Sequence, residues 1–190
     1  VRLLGMLSSR YKRSRRRIRW AFRRGGIVKK LRVLLIDNDT HYKRRLRDLL
    51  RDHELSVIDY TQISEIKQTD YDLIVLSGGG IKTEDGRRRS LKRFAHLYED
   101  QINLVLHAKV PIVGICLGCE IIGYAYGAKL HRQFKLRRKG LSEIVTITNS
   151  KVMAGMDEAT VFQSKRWIIT ELPDELVCIA SSDEGSEIIR

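Results

Sequence analysis

The chain has 190 residues, enough for one domain with a real core and short for two. No apolar run approaches the roughly 20 residues that span a bilayer, and three cysteines are too few for a disulfide framework, so a reducing cytoplasm is the expected setting. The net charge of +13 lies wholly in the leading segment: residues 1–32 hold 13 Lys and Arg and no acid, which leaves 23 basic against 23 acidic residues in the other 158.

That segment contains "SSRYKRSRRRIRWAFRR", with Tyr11, Trp20 and Phe22 set among the arginines. Residues 1–30 are expected to be a disordered basic arm. Binding to nucleic acid or an anionic surface is one functional reading, and an organellar transit peptide is another. A solvated tail, or a start assigned too early, explains the same residues. Without a folded reader beside it, the arm takes no part in the main reading.

After the arm, "LRVLLI" (31–36) reads as a strand buried on both faces of a parallel sheet. Thr40 is placed to cap "HYKRRLRDLLRD", which puts Tyr42, Leu46, Leu49 and Leu50 on one helical face. "LSVIDY" (55–60) and "DLIVLS" (72–77) read as the next strands, and the latter runs into Gly78-Gly79-Gly80. From Ser90, "SLKRFAHLYEDQINLVLHA" reads as a long amphipathic helix with Leu91, Phe94, Tyr98, Ile102 and Val105 on its buried stripe. "PIVGI" (111–115) is the fourth strand, and "LGCEIIGYAYG" follows as a helix ended by Gly127. Strand alternating with helix predicts an α/β fold: an open, mostly parallel sheet with helices on both faces. Strands at 142–148, 159–164, 176–181 and 186–190, with little helix between them, predict an antiparallel or mixed extension.

Ligands of such sheets bind at the carboxyl ends of strands, and three ends are chemically unusual: Asp37-Asn38-Asp39, Gly78-Gly79-Gly80 and Cys116. A phosphate-receiver reading fits the aspartates but lacks a phosphate-accepting carboxylate at the third strand, which ends on Ser77. Cys116 and Cys119 make a C-x-x-C, but Cys178 and a distant histidine are a poor second pair for zinc. A dithiol motif usually follows an early strand, and this one follows the fourth. Cys119 alone is most simply a small buried helix residue.

A nucleophile explains more. Gly114-Ile115-Cys116-Leu117-Gly118 is G-x-C-x-G, a cysteine form of the strand-to-helix nucleophile elbow. The sharp turn needs small residues two positions either side of the thiol, and a helix N-terminus favours the thiolate. The Leu117 N–H points into such a site as one oxyanion donor, and the glycine run at the neighbouring strand end supplies a second.

"VLLIDND", "YDLIVLSGGG" and "VPIVGICLGCEIIGYAYGAKL", in this order and spacing, resemble class I glutamine amidotransferase domains of the triad type. The resemblance covers residues 31–190 and is closest in flavour to the glutaminase subunit of archaeal-type GMP synthetases. It implies that Cys116 attacks the side-chain amide of glutamine, with Leu117 and Gly79 holding the oxyanion, and that ammonia passes to a synthetase subunit or domain. No cofactor is implied. Gly80, Glu120 and Lys165 fall at substrate-side positions, each a departure: proline, glutamine and often histidine are usual there. For Lys165 the alternatives are a surface residue on its strand and a contact to substrate carboxylate or partner. The family's general base, in an H-x-E pair, has no match before Arg190, and none of the five histidines is a good replacement. The expectation is therefore an amidotransferase domain truncated at its C-terminus. An amidotransferase-like binding or regulatory module without catalysis is the alternative, and another cysteine hydrolase a lesser one.

Overall fold

A computed structural model describes residues 30–132, 138–153 and 155–190; the basic arm, all but its last residue Lys30, lies outside them. Four parallel strands, β1 (Arg32–Asp37), β2 (Glu54–Asp59), β3 (Leu73–Leu76) and β4 (Ile112–Gly114), form a sheet in the order β2-β1-β3-β4. Val33 to Asp37 are all buried because the sheet is covered on both sides. Leu34, Ile36, Ile74, Leu76 and Ile112 pack on one face with Tyr98, Leu104, Val105 and Ile121. Val33, Leu35, Val75 and Val113 pack on the other with Leu46. The alternating side chains of a strand thus serve two apolar layers, which is why these runs show no polar alternation.

Helix α1 (Lys43–Leu50) covers one face; α2 (Glu99–Leu106) and α3 (Leu117–Ala125) cover the other. Thr40 does not cap α1. Its hydroxyl accepts from Tyr42 N–H at 3.2 Å, and the helix begins at Lys43 with no side-chain cap. Leu49, assigned to the buried stripe, is 47% exposed. The long helix expected from Ser90 is three pieces: short 3-10 turns at Leu91–Arg93 and Ala95–Tyr98, then α2. Phe94 leaves helical geometry (φ −136°, ψ 45°), and the Tyr98 hydroxyl takes Ile81 N–H at 3.2 Å and donates to Arg89 O at 2.7 Å. These tertiary bonds fix the segment where helical ones would otherwise run. Gly127 does end α3, at φ +87°, with Ala128 N–H returning to Gly123 O at 2.8 Å.

The C-terminal strands are antiparallel and form a second sheet, β5-β8-β10-β9-β6-β7, rather than extending the first. β6 (Arg138–Thr146), β7 (Glu158–Lys165), β9 (Cys178–Ser182) and β10 (Gly185–Ile189) match expected strands. β5 (Lys129–Arg132) and β8 (Trp167–Glu171) were not expected; they pair with each other. No helix among the described residues is long and apolar enough to cross a membrane.

Candidate active site

The carboxyl ends of β1, β3 and β4 converge, and the three unusual strand ends meet there. β4 stops at Gly114, and Cys116 takes φ +55°, ψ −110° immediately before α3. A non-glycine residue at positive φ costs about 1–3 kcal/mol and persists only where surroundings enforce it. The surroundings here are backbone. A Cβ on Gly114 would lie 2.4 Å from the Gly118 carbonyl group, and one on Gly118 would lie 2.3 Å from Leu76 O. Both glycines are steric requirements of the turn, as their spacing around the cysteine suggested.

The glycine run beside it is equally constrained. Gly79 sits at φ +134°, and a Cβ there would stand 1.9 Å from Asn38 O; one on Gly78 would stand 3.1 Å from Cys116 Cβ. The Asp37-Asn38-Asp39 turn buttresses this loop. Asn38 is fully buried; its N–H donates to Ser77 Oγ at 2.8 Å, its side-chain amide donates to Ser77 O at 3.0 Å, and its carbonyl accepts Gly80 N–H at 2.8 Å. Gly80 N–H is therefore spent within the loop. Among the described residues, neither Gly79 N–H nor Leu117 N–H donates a backbone hydrogen bond outside the helices and strands.

The flanking aspartates are engaged elsewhere. Asp37 pairs with Lys43 at 2.7 Å, and Asp39 with Lys82 and Arg88, both at 2.8 Å. The hydrogen bond from Lys82, then that from Arg88, holds the Asp39 carboxyl below its ordinary range despite partial burial. Two carboxylates tied to separate cations are not poised as the paired ligands a receiver site would need.

All three cysteines are free thiols. Burial, then the nearby Glu120 charge, pushes the Cys119 thiol up to about 12, although the residue is only partly buried and lines the same cleft as Cys116. Among the described residues no three His, Cys, Asp or Glu side chains gather closely enough to hold a metal ion.

Cys116 opens into a cleft of about 190 Å³, which Gly78, Gly79, Glu120 and Lys165 also line. Gly80 does not reach it. Lys165 is not a surface residue: its side chain is 13% exposed, and its ammonium is bound by Glu187 and, at 3.1 Å, by Glu184. The Cys116 thiol donates to Ser164 O at 3.8 Å. Sequence reasoning missed Ser164, Arg88 and Glu187, all on the cleft wall. It also set aside His41, which lines the cleft beside Tyr42. Nothing in their local pattern marks them, because tertiary folding of the second sheet and of the loop before α2 brings them in.

The family model described as "Glutamine amidotransferase class-I" matches residues 34–190. The anthranilate synthase component 2 of Saccharolobus solfataricus is 30% identical over 134 residues, 69% of this chain and 65% of that protein. One subunit of the glutamine-hydrolysing GMP synthase of Methanococcoides burtonii is 29% identical over 161 residues, 82% of this chain and 77% of that one. Among solved structures, a Thermoplasma acidophilum protein provisionally ascribed to a GMP synthase superposes with a TM-score of 0.67 at 22% identity, covering 83% of this chain and 75% of that chain. This last likeness concerns the fold.

Proposed function

The chain belongs to the class-I glutamine amidotransferase family, and on that footing we propose that residues 31–190 are an amidotransferase domain in which Cys116 is the nucleophile. The observation that carries the reading is the elbow: a cysteine at positive φ, between two glycines where a Cβ would overlap backbone, at the N-terminus of α3.

In this reading the Cys116 thiolate attacks the side-chain amide carbon of glutamine. The carbonyl oxygen becomes an oxyanion between Leu117 N–H and Gly79 N–H. The C–N bond breaks as the nitrogen takes up the proton lost by the thiol, and ammonia departs. Water then cleaves the γ-glutamyl thioester, releasing glutamate and restoring the thiol. Glu120 faces the substrate's ammonium group. Gly80 acts through the loop, since its N–H holds Asn38.

The ammonia goes to a synthase partner. Supporting this are the relatives named as a synthase component and as a synthase subunit. The three free thiols fit a reducing cytoplasm. A second reading, a binding module that keeps the fold without turnover, is favoured by Lys165, whose ammonium is taken by two carboxylates rather than offered to substrate.

The two readings part on glutamine turnover. Ammonia release from glutamine by the purified chain, measured with and without the Cys116→Ser substitution, is expected to depend on the thiol. Release unaffected by the substitution contradicts the nucleophile. Absence of both release and labelling of Cys116 by a glutamine-analogue electrophile, in a chain that still binds glutamine, favours the module.

A further inference from the structure

Besides His41, two basic side chains line the cleft, Arg88 and Lys165. The Lys165 charge is met by two carboxylates, Glu187 and Glu184. Arg88 is placed differently. It closes a loop whose two sides are bridged at Lys82 and Arg88. Its stem lies against the glycine run: a Cβ on Gly80 would stand 3.5 Å from Arg88 Cβ and from its Cδ. Its Nη2 donates to Asp39 O at 2.7 Å and to Asp39 Oδ2 at 2.8 Å.

A guanidinium carries five N–H donors, and both of these bonds come from Nη2. Among the described residues Nε and Nη1 donate to nothing, and neither atom is sealed from solvent. Asp39 does not balance Arg88 alone, because Lys82 binds the same carboxylate oxygen at 2.8 Å. Two cations on one carboxylate leave this edge of the cleft with an excess of positive charge. Glu120, on α3, lies near it. Burial pushes the Tyr98 hydroxyl up to about 12, and the Glu120 charge raises it while that of Arg88 lowers it, so both act on one group. An amino acid, with its ammonium and carboxylate on one carbon, needs opposite charges at neighbouring points of this kind.

We propose that Arg88 holds the α-carboxylate of the substrate through the guanidinium donors that Asp39 leaves unspent, and so makes the cleft prefer a free amino acid to its α-amide. The assignment rests on the amidotransferase reading, which sets Cys116 on the side-chain amide and Glu120 on the ammonium group. Asp39 and Gly80 fix the guanidinium beforehand, so less rotamer freedom is lost when the carboxylate arrives. An α-amide presents a neutral group to that charge and forfeits a charge-assisted hydrogen bond.

The test uses the whole chain and follows alkylation of Cys116 by iodoacetamide with glutamine or glutaminamide, its α-amide, as protectant. Each variant is compared with its own unprotected rate. In the wild type, glutamine is expected to protect at concentrations about tenfold or more below those glutaminamide requires. Arg88→Met is expected to weaken glutamine by about 10- to 100-fold and to leave glutaminamide little changed, so that the two protect alike. Arg88→Lys keeps a charge without the planar fork and is expected to fall between. If Arg88→Met does not fold, Arg88→Gln is read in its place with the same expectations. Equal protection by the two compounds in the wild type overturns the assignment. So does a preference for glutamine that survives in Arg88→Met, or an equal weakening of both compounds, which is what mere loosening of the loop would give. These results leave the amidotransferase reading standing. Protection of the wild type by neither compound overturns that reading, and the assignment with it.

Discussion

Gly79 and Asn38 meet backbone against backbone: a single methyl on Gly79 would sit 1.9 Å from the Asn38 carbonyl oxygen. That oxygen is already held by Gly80 N–H, so neither side has room to yield. The contact ties the end of β1 to the loop after β3. Gly79→Ala is therefore expected to cost about 2–3 kcal/mol of stability through overpacking and a strained φ. If Gly79 is an oxyanion donor, the same change slows reaction of Cys116 with the glutamine analogue by about 10²-fold or more. Urea melts and labelling time courses check the two effects separately.

The glycines of the elbow divide by what surrounds them. Gly114 and Gly118 face backbone atoms at 2.4 Å and 2.3 Å, whereas Gly127 has φ +87° and open space. Alanine at 114 or 118 is expected to lose about 3 kcal/mol or prevent folding. Alanine at 127 is expected to lose only about 1 kcal/mol, the conformational cost alone. Thermal melts of the three variants give the ranking, and equal losses would contradict the elbow geometry.

Asp39 links acid stability to the rim of the cleft. Lys82 first, then Arg88, depresses its carboxyl. Its stabilisation is thus fully present above the unfolded carboxylate value of about 4 and lost as pH falls through the lower folded value. Asn tolerates the left-handed backbone of this site, so Asp39→Asn removes charge with little strain. With the Asp39 side chain 39% exposed, the deficit near neutrality is on the order of 1 kcal/mol or less. Urea midpoints should converge for variant and wild type as pH drops below about 4.

Cys116 and Cys119 share one helix turn but not one reactivity. The Cys119 thiol, pushed up to about 12 by burial, is expected to stay unmodified by iodoacetamide at about pH 8 while Cys116 is alkylated. In urea Cys119 reverts to an ordinary thiol near about 8.5 and becomes reactive. Peptide mapping before and after unfolding checks this. Because the folded value is raised, stability should also fall as pH climbs from about 9 toward 12.

The parallel half was legible because its strands are continuous apolar runs and its strand ends carry glycines and a thiol. The spacing of Gly114, Cys116 and Gly118 told the turn's steric demand in advance. The break at Phe94 was not legible, since Leu91, Tyr98 and Val105 keep helical spacing and are all buried whether the helix is whole or broken. β5 was hidden because "KLHR" is too short and polar to signal a strand. The burial of Lys165 was hidden more deeply: its partners Glu184 and Glu187 lie about 20 residues on, beside β10, which pairs with the β8 strand that begins two residues after Lys165.

The most direct test of the central claim is to incubate the chain with the diazoketone analogue of glutamine and map every adduct. Attack needs a reactive thiol and a glutamine-shaped cleft. The account predicts one adduct, on Cys116, slowed by excess glutamine and abolished by Cys116→Ser. Adducts on Cys119 or Cys178, or a Cys116 that takes iodoacetamide yet ignores the analogue, would contradict it.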